Sequence, residues 1–501
     1  MKNNFKYLAL FAAAAVFVSC ENEFEDSVTD GDLYTNGTAD FSKYVSVGNS
    51  LTSGYADNAL YLEGQQNSFP NIMAQQFELV GGGEFNQPLV NDNLGGLLLN
   101  GNQILPNRFV LAVGANGSPG PARIGGTPTT EITNKVTGPL NNYGVPGARV
   151  FHLGAPGYGS AAGIASGTAN PYFARFSSSE SSTVIDDAAA ANGTFFTLWI
   201  GNNDILGYAT SGGSGVDNNQ TGQTNPAMQG DNSITNNNTF AGVYAALVAK
   251  MTANGAKGAL INIPDVTSIP YFTTIPANPI PLDATTAAGV NMAYAQYNGG
   301  LRAAEAGQLI TTAERIARTI NFTEGANFVV ITDVDLTNLS ALGLPNIRQT
   351  TAADLITLPT RALLGTLADP SNPSSVRGVG VPLANSNVLT VTEQTRVSAA
   401  QDSYNATIAA IAQSNGLALV DAKTALGGLS TGGVAFNGGI LTSTFATGGA
   451  FSLDGVHPTP RGYAFTANTV LQTINAFYGS TVPKVEIGNY KTIQPSNNVA
   501  Q

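Results

Sequence analysis

The sequence predicts an α/β protein: a short parallel sheet with helices over both faces and long loops inserted between the elements. Three observations carry this. Short apolar, β-rich runs recur along the chain and stop at glycine or proline, as strands buried on both faces do. Stretches of helical character, the first rich in alanine, alternate with these runs, the pattern of parallel strands joined by crossover helices. The 501 residues include 57 glycines and 25 prolines beside 43% hydrophobic residues, enough for a sizeable core between many turns.

The first strand is expected at Tyr44-Val45-Ser46-Val47, ending at Gly48. The run 194–200 (TFFTLWI) predicts a second, ending at Gly201, and 259–263 (ALINI) a third, ending at Pro264-Asp265. Runs 328–331 and 417–420 supply two more. Helices are expected over about 288–320 and 393–414, and from Pro458-Thr459-Pro460 towards Phe477. Loop-like insertions occupy about 81–140, 207–240 and 267–286. No fixed-period repeat and no clean linker divides the chain, so 41–480 is expected to form one domain bearing these insertions, with 481–501 as a C-terminal tail.

Ahead of that domain, Lys2 and Lys6 precede an uncharged run of twelve residues, Tyr7 to Val18. Twelve is too short to span a bilayer, which takes ~20, but suits the apolar region of a secretory signal. The run ends at Ser19-Cys20, which resembles the lipobox of bacterial lipoproteins, and the acidic stretch Glu21-Asn22-Glu23-Phe24-Glu25-Asp26 follows at once. The resemblance implies a signal peptide at 1–19 and lipidation of Cys20, and the polar, acidic composition that follows reads as a tether over 20–40. In Bacteroidota-type lipoproteins such acidic residues resemble a surface-export signal. The expected location is the outer membrane, facing the periplasm or the cell surface, with membrane contact through the anchor.

Net charge is −12 and only 11% of residues are charged, so no basic face displaces counterions from phosphates and no nucleic-acid partner is expected. Cys20 is the one cysteine, which excludes intramolecular disulfides and cysteine-ligated metals, and two histidines, His152 and His457, do not make a multi-histidine site. Neither metal nor cofactor is expected.

Three features fall at strand ends or turns, where open α/β sheets hold their ligands. Gly48-Asn49-Ser50-Leu51-Thr52 follows the first strand, and a serine on such a turn can expose its hydroxyl and offer its N–H to an oxyanion. Gly201-Asn202-Asn203-Asp204 follows the second, where an asparagine amide can donate to the same oxyanion. Asp454-Gly455-Val456-His457-Pro458 puts an acid and an imidazole three residues apart, so the acid can hold Nδ1–H while Nε2 faces the serine.

Together these resemble the SGNH/GDSL hydrolase family. Gly48-Asn49-Ser50-Leu51 stands for its first block, with Asn in place of the usual Asp, and Asn142-Tyr143-Gly144-Val145-Pro146-Gly147 for its second. Gly201-Asn202-Asn203-Asp204 and Asp454 to His457 match two further blocks, in the family's order. The resemblance implies a flavodoxin-like three-layer α/β/α sandwich and a serine esterase or lipase acting on acyl lipids or acetylated glycans. It assigns Ser50, His457 and Asp454 as the triad, and the Ser50 and Gly147 N–H groups with the Asn203 amide as the oxyanion hole. Gly144 is the alternative to Gly147. The alternative function is a non-catalytic surface protein binding glycan or lipid on the same scaffold, suggested by Asn49 and the long loops.

Other motifs read as structural. Gly428-Leu429-Ser430-Thr431-Gly432 matches a nucleophile-elbow pattern but lacks a β-rich run before it. Asp30-Gly31-Asp32 and Asp333-Val334-Asp335 lack the spacing of a calcium loop. His152 is expected to pack or cap a helix and Trp199 to be core, while Leu97-Leu98-Leu99, with the loops around 81–140, is expected to be core or, alternatively, to build an acyl pocket.

Overall fold

The computed structural model describes residues 34–114 and 117–500. The expected signal peptide, the Cys20 lipidation site, the Asp30-Gly31-Asp32 motif and most of the acidic tether lie outside the described residues. Among those described, no helix is long and apolar enough to cross a membrane.

Five parallel strands form the central sheet: β1 (Tyr44–Gly48), β2 (Asn142–Gly144), β3 (Phe195–Trp199), β4 (Lys257–Ile261) and β5 (Ala418–Val420), in the spatial order β2-β1-β3-β4-β5. Their side chains alternate between two apolar clusters. Val45, Val47, Phe196, Leu198 and Leu260 enter one cluster, with α3 (Val184–Ala190), α4 (Asn203–Thr210), α5 (Asn237–Thr252) and α7 (Val391–Ser414) packed over it. Tyr44, Phe195, Trp199, Ala259 and Ile261 enter the other, beneath α2 (Phe69–Phe77) and α8 (Pro460–Tyr478). Both faces are covered by helices, which is why β1, β3, β4 and β5 are largely apolar; the buried exceptions Ser46 and Thr197 bond each other, hydroxyl to hydroxyl, at 2.9 Å.

Four of the five expected strands lie in this sheet. The fifth, 328–331, does not: Val330–Thr332 pairs antiparallel with Ile347–Gln349, within a separate apolar cluster built around α6 (Ala284–Ala306). An apolar run reports burial, not which core it enters. The strand that takes its place, β2, is the polar triplet Asn-Tyr-Gly. It is held by side-chain bonds, with Asn142 Nδ2 donating to Thr52 O at 3.0 Å and Asn141 Nδ2 to Tyr44 O at 2.8 Å.

The stretch expected as loop over 81–140 contains short strands, among them Leu97–Leu99 and the hairpin Phe109–Val113 with Pro119–Arg123. Residues near the C-terminus join this hairpin, Ser496 N–H donating to Leu111 O at 2.9 Å and Ala500 N–H to Arg123 O at 2.8 Å. The expected helix over 288–320 is two helices, α6 and Thr312–Arg318. Asp333 and Asp335 pair with Arg348 and Arg396, each at 2.6 Å.

The strand order reverses between β1 and β3, the place where open sheets of this kind hold ligands beyond the strand ends. Ser50 follows β1 and Asn203 follows β3.

Candidate active site

The turn after β1 is dictated by its residues. A side chain at Gly48 would come within 2.2 Å of Thr52 Oγ1 and 2.4 Å of the Trp199 carbonyl, so the strand leaves the sheet through glycine. Asn49 then caps α1 (Ser50–Ser53), its Oδ1 accepting from Leu51 N–H at 3.0 Å. Its Nδ2 donates to Asn202 Oδ1 at 3.1 Å, tying this turn to the one after β3. Ser50 is the first residue of α1, where backbone N–H groups have no intrahelical acceptor.

His457 arrives from the opposite end of the sequence. Ser452 N–H donates to the His457 carbonyl at 2.7 Å, closing a loop in which Gly455 supplies a φ of +71°. Thr459 caps α8 immediately afterwards, its hydroxyl accepting from Gly462 N–H at 3.1 Å. His457 Nε2 lies 2.9 Å from Ser50 Oγ, and Nδ1 lies 2.9 Å from Asp454 Oδ2. With Asp454 ionised, Nδ1 carries the proton that bonds it, which leaves Nε2 as the acceptor for the serine hydroxyl.

Asp454 is held ionised by its surroundings. Burial alone would raise its pKa, but the His457 ring and the backbone N–H groups of His457 and Val456 outweigh burial and bring it to about 2. Its Oδ1 accepts from Val456 N–H and His457 N–H, each at 2.8 Å, and from Ser452 Oγ at 3.1 Å. Its Oδ2 also accepts from Asn58 N–H at 2.9 Å. That bond needs left-handed backbone at Asp57 and Asn58, with φ of 52° and 60°, a conformation that Asp and Asn tolerate better than most residues. Asp57 is fastened in turn: its N–H donates to Ser452 Oγ at 2.9 Å and its carboxylate accepts from Leu453 N–H at 3.0 Å and Tyr61 OH at 3.1 Å. Burial, with the charge of Asp454 nearby, pushes the Asp57 carboxyl up to about 6.

The second block forms the turn beside the serine. Val145 N–H donates to the Gly48 carbonyl at 3.0 Å, and Asn203 Nδ2 donates to the Ala148 carbonyl at 2.9 Å. Gly147 lies between these anchors with φ of +80°, and a side chain there would meet open space, so backbone conformation alone calls for glycine. The N–H of Gly144, the alternative donor, is given to Asn142 Oδ1 at 2.9 Å. Asn203 has one amide hydrogen on Ala148, which leaves the other for a ligand.

Two residues to which the sequence assigned no role hold this turn. Asp204, fully buried, accepts from Val150 N–H at 2.9 Å and from the Thr235 hydroxyl at 2.7 Å. Burial outweighs those bonds and the nearby Arg149 charge, and pushes its carboxyl up to about 6. Arg149, also buried, donates from Nε to the Asn203 carbonyl at 3.3 Å. Arg149 carries no sequence signal beyond being a charge between Ala148 and Val150, whereas Asp204 closes the Gly201-Asn202-Asn203-Asp204 block.

A cavity of about 50 Å³ is lined by Ser50, Asn203 and His457 together with Leu206, Ile269 and Phe451. Leu97–Leu99 does not reach it: Leu97 packs with Leu60, Val90 and Ile132. Ser430 sits exposed on the helix Ala422–Thr431, its hydroxyl donating to the Gly427 carbonyl at 2.9 Å. His152 Nδ1 accepts from Arg149 N–H at 3.1 Å, capping the 3₁₀ turn Val150–Gly154. Trp199 is fully buried in β3. Among the described residues, no group of three His, Cys, Asp or Glu side chains is placed to hold a metal ion.

No family model, curated protein or solved structure matches the chain. The arrangement therefore speaks through its geometry: a serine hydroxyl, an imidazole and a carboxylate joined in one hydrogen-bonded chain, with Asn203 lining the same cavity.

Proposed function

We propose that the protein is a serine ester hydrolase of SGNH type. The observation that carries this is the Ser50–His457–Asp454 chain, with both links at 2.9 Å. The strand order and the two covered faces agree with a flavodoxin-like three-layer sandwich, the scaffold this reading expects. Anchorage in an outer membrane through a lipid on Cys20 belongs to the same proposal.

In the reaction, Ser50 Oγ attacks the ester carbonyl carbon as its proton passes to His457 Nε2. The carbonyl oxygen becomes an oxyanion held by the N–H groups of Ser50 and Gly147 and by Asn203 Nδ2. Asp454 fixes the imidazole tautomer and stabilises the imidazolium. The intermediate collapses by breaking the bond to the alcohol oxygen, which takes the proton from Nε2. Water, giving a proton to His457 Nε2, then attacks the acyl carbon, and the second intermediate collapses by breaking the bond to Ser50 Oγ, which takes the proton back from Nε2 as the acid leaves. Each oxyanion donor is typically worth ~3 kcal/mol of barrier.

The test is turnover of p-nitrophenyl acetate by the wild type and by Ser50→Ala. Turnover that vanishes in the variant supports the reading. Turnover retained in the variant refutes it, and none in either makes the non-catalytic binding protein the better account.

A further inference from the structure

Arg175 carries a buried charge with no counter-charge. It follows the short helix Pro171–Ala174 and is 2% exposed. Its guanidinium donates from Nη1 to the Pro88 carbonyl at 3.2 Å and from Nη2 to the Leu89 carbonyl at 2.7 Å, both neutral acceptors. Among the described residues, no carboxylate pairs with it. The ionisable side chain that acts on it is Tyr172, whose own burial keeps the phenol neutral. Burial lowers the Arg175 pKa to about 10, so the group remains a cation at neutral pH. Its Nε–H is buried as well and has no acceptor. An unmatched buried charge and an unmet buried donor are both costly.

Both belong to the wall of a small cavity, about 10 Å³ in volume, lined by Arg175 with Ser53, Leu60, Gln65, Asn142 and Tyr172, among others. Arg175 is the one charged residue in that lining. The neighbouring polar side chains are engaged elsewhere. Gln65 Nε2 donates to the Pro88 carbonyl at 3.1 Å, and its Oε1 accepts from Val90 N–H at 2.7 Å. Asn142 Nδ2 donates to the Thr52 carbonyl and to Gln87 Oε1, each at 3.0 Å, and the Ser53 hydroxyl donates to the Ser50 carbonyl at 3.0 Å.

Size and charge together select the occupant. The volume is about that of one water-sized sphere, ~10–15 Å³, so carboxylates, phosphates and sulfates are too large. A water molecule would accept from Nε–H but leave the charge unmatched. A monatomic anion answers both needs.

We propose that this cavity binds one halide ion, of chloride size, held by Arg175 Nε–H. The ion lies against the elements that carry the active site. Ser53 ends α1, the helix that begins at Ser50, and Gly144 ends β2, so close that a side chain there would come within 2.4 Å of Ser53 N. Bound there, the ion joins α1 and β2 to the helix Pro171–Ala174 and stabilises the folded state by mass action. No member of the triad lines this cavity, so the proposal does not depend on the ester-hydrolase reading.

The test follows the melting temperature of the wild type and of Arg175→Met as chloride replaces gluconate, which is too large for the cavity, at constant ionic strength. The expected result is a rise of about 2 °C in the wild type and none in Arg175→Met. A second measurement needs no variant: crystals of the wild type grown in bromide are expected to show an anomalous peak beside Arg175 Nε. A melting temperature in the wild type that does not respond to chloride, an equal response in Arg175→Met, or a bromide crystal with no anomalous peak beside Arg175 would overturn the proposal. A bromide peak without any chloride response would mean an adventitious ion only and would overturn it too.

Discussion

Asn49 and Asn202 are joined side chain to side chain, Nδ2 to Oδ1 at 3.1 Å, so the turn that carries Ser50 and the turn that precedes Asn203 form one unit. Asn49 is fully buried and also caps α1. Asn49→Ala removes the cap and leaves Asn202 Oδ1 without this donor. The expected cost is about 1–3 kcal/mol of stability, measured by thermal or denaturant unfolding, with a fall in kcat for p-nitrophenyl acetate as Ser50 loses its fixed position.

Asp454→Asn keeps the shape of the loop but not its charge. The amide that replaces the carboxylate faces donors on every side, and the imidazole loses the partner that holds its proton on Nδ1. The change is expected to lower kcat by about 10⁴, with the melting temperature lowered as well because the donors from Val456, His457 and Asn58 lose a charged acceptor. An effect under tenfold on kcat would place the acid elsewhere.

Asn203→Ala tests the oxyanion donor. Removing one such donor typically costs about 10² to 10³ in kcat, and because the donor acts on charge that develops only in the transition state, KM is expected to change little. A rise in KM at constant kcat would instead make Asn203 a ground-state binding residue.

Asp57 predicts a pH dependence of stability. Its carboxyl is pushed up to about 6 in the folded protein, against about 3.9 in an unfolded chain. Between those values the folded state holds the proton more tightly than the unfolded state, so stability falls as pH rises. The contribution is fully present below about pH 4 and lost by above pH 6, a swing of about 3 kcal/mol. Asp57→Asn removes that swing. Its melting temperature relative to the wild type is expected to rise between pH 4 and pH 7, and a flat difference would contradict the assignment.

What could be read from the sequence follows what sequence encodes locally. β1, β3, β4 and β5 announce themselves because strands covered on both faces must be apolar throughout and must then stop. β2 was legible only as a motif, since its asparagines are buried through tertiary hydrogen bonds that no periodicity reveals. The 328–331 run has the same local signature as a central strand but enters the cluster around α6. At the site, Ser50, Asn203, Asp454 and His457 stood out because short spacings and predicted strand ends frame them, and the structure brings Ser50, His457 and Asp454 together across 407 positions of chain. Asn58 acts through its backbone, while Asp57 and Arg149 act through contacts with distant turns, and side-chain type at those positions carries no such information; Asp204 was visible as the last residue of its block, but not as the residue that holds Val150.

The most direct measurement is the intact mass of the protein after brief exposure to a low concentration of a fluorophosphonate, followed by mapping of the modified peptide. An activated serine displaces fluoride and keeps the phosphonyl group. The predicted result is one adduct per chain, located on Ser50 and absent from Ser50→Ala and from His457→Ala. No adduct, or an adduct on another serine such as Ser430 that persists in Ser50→Ala, would contradict the central claim.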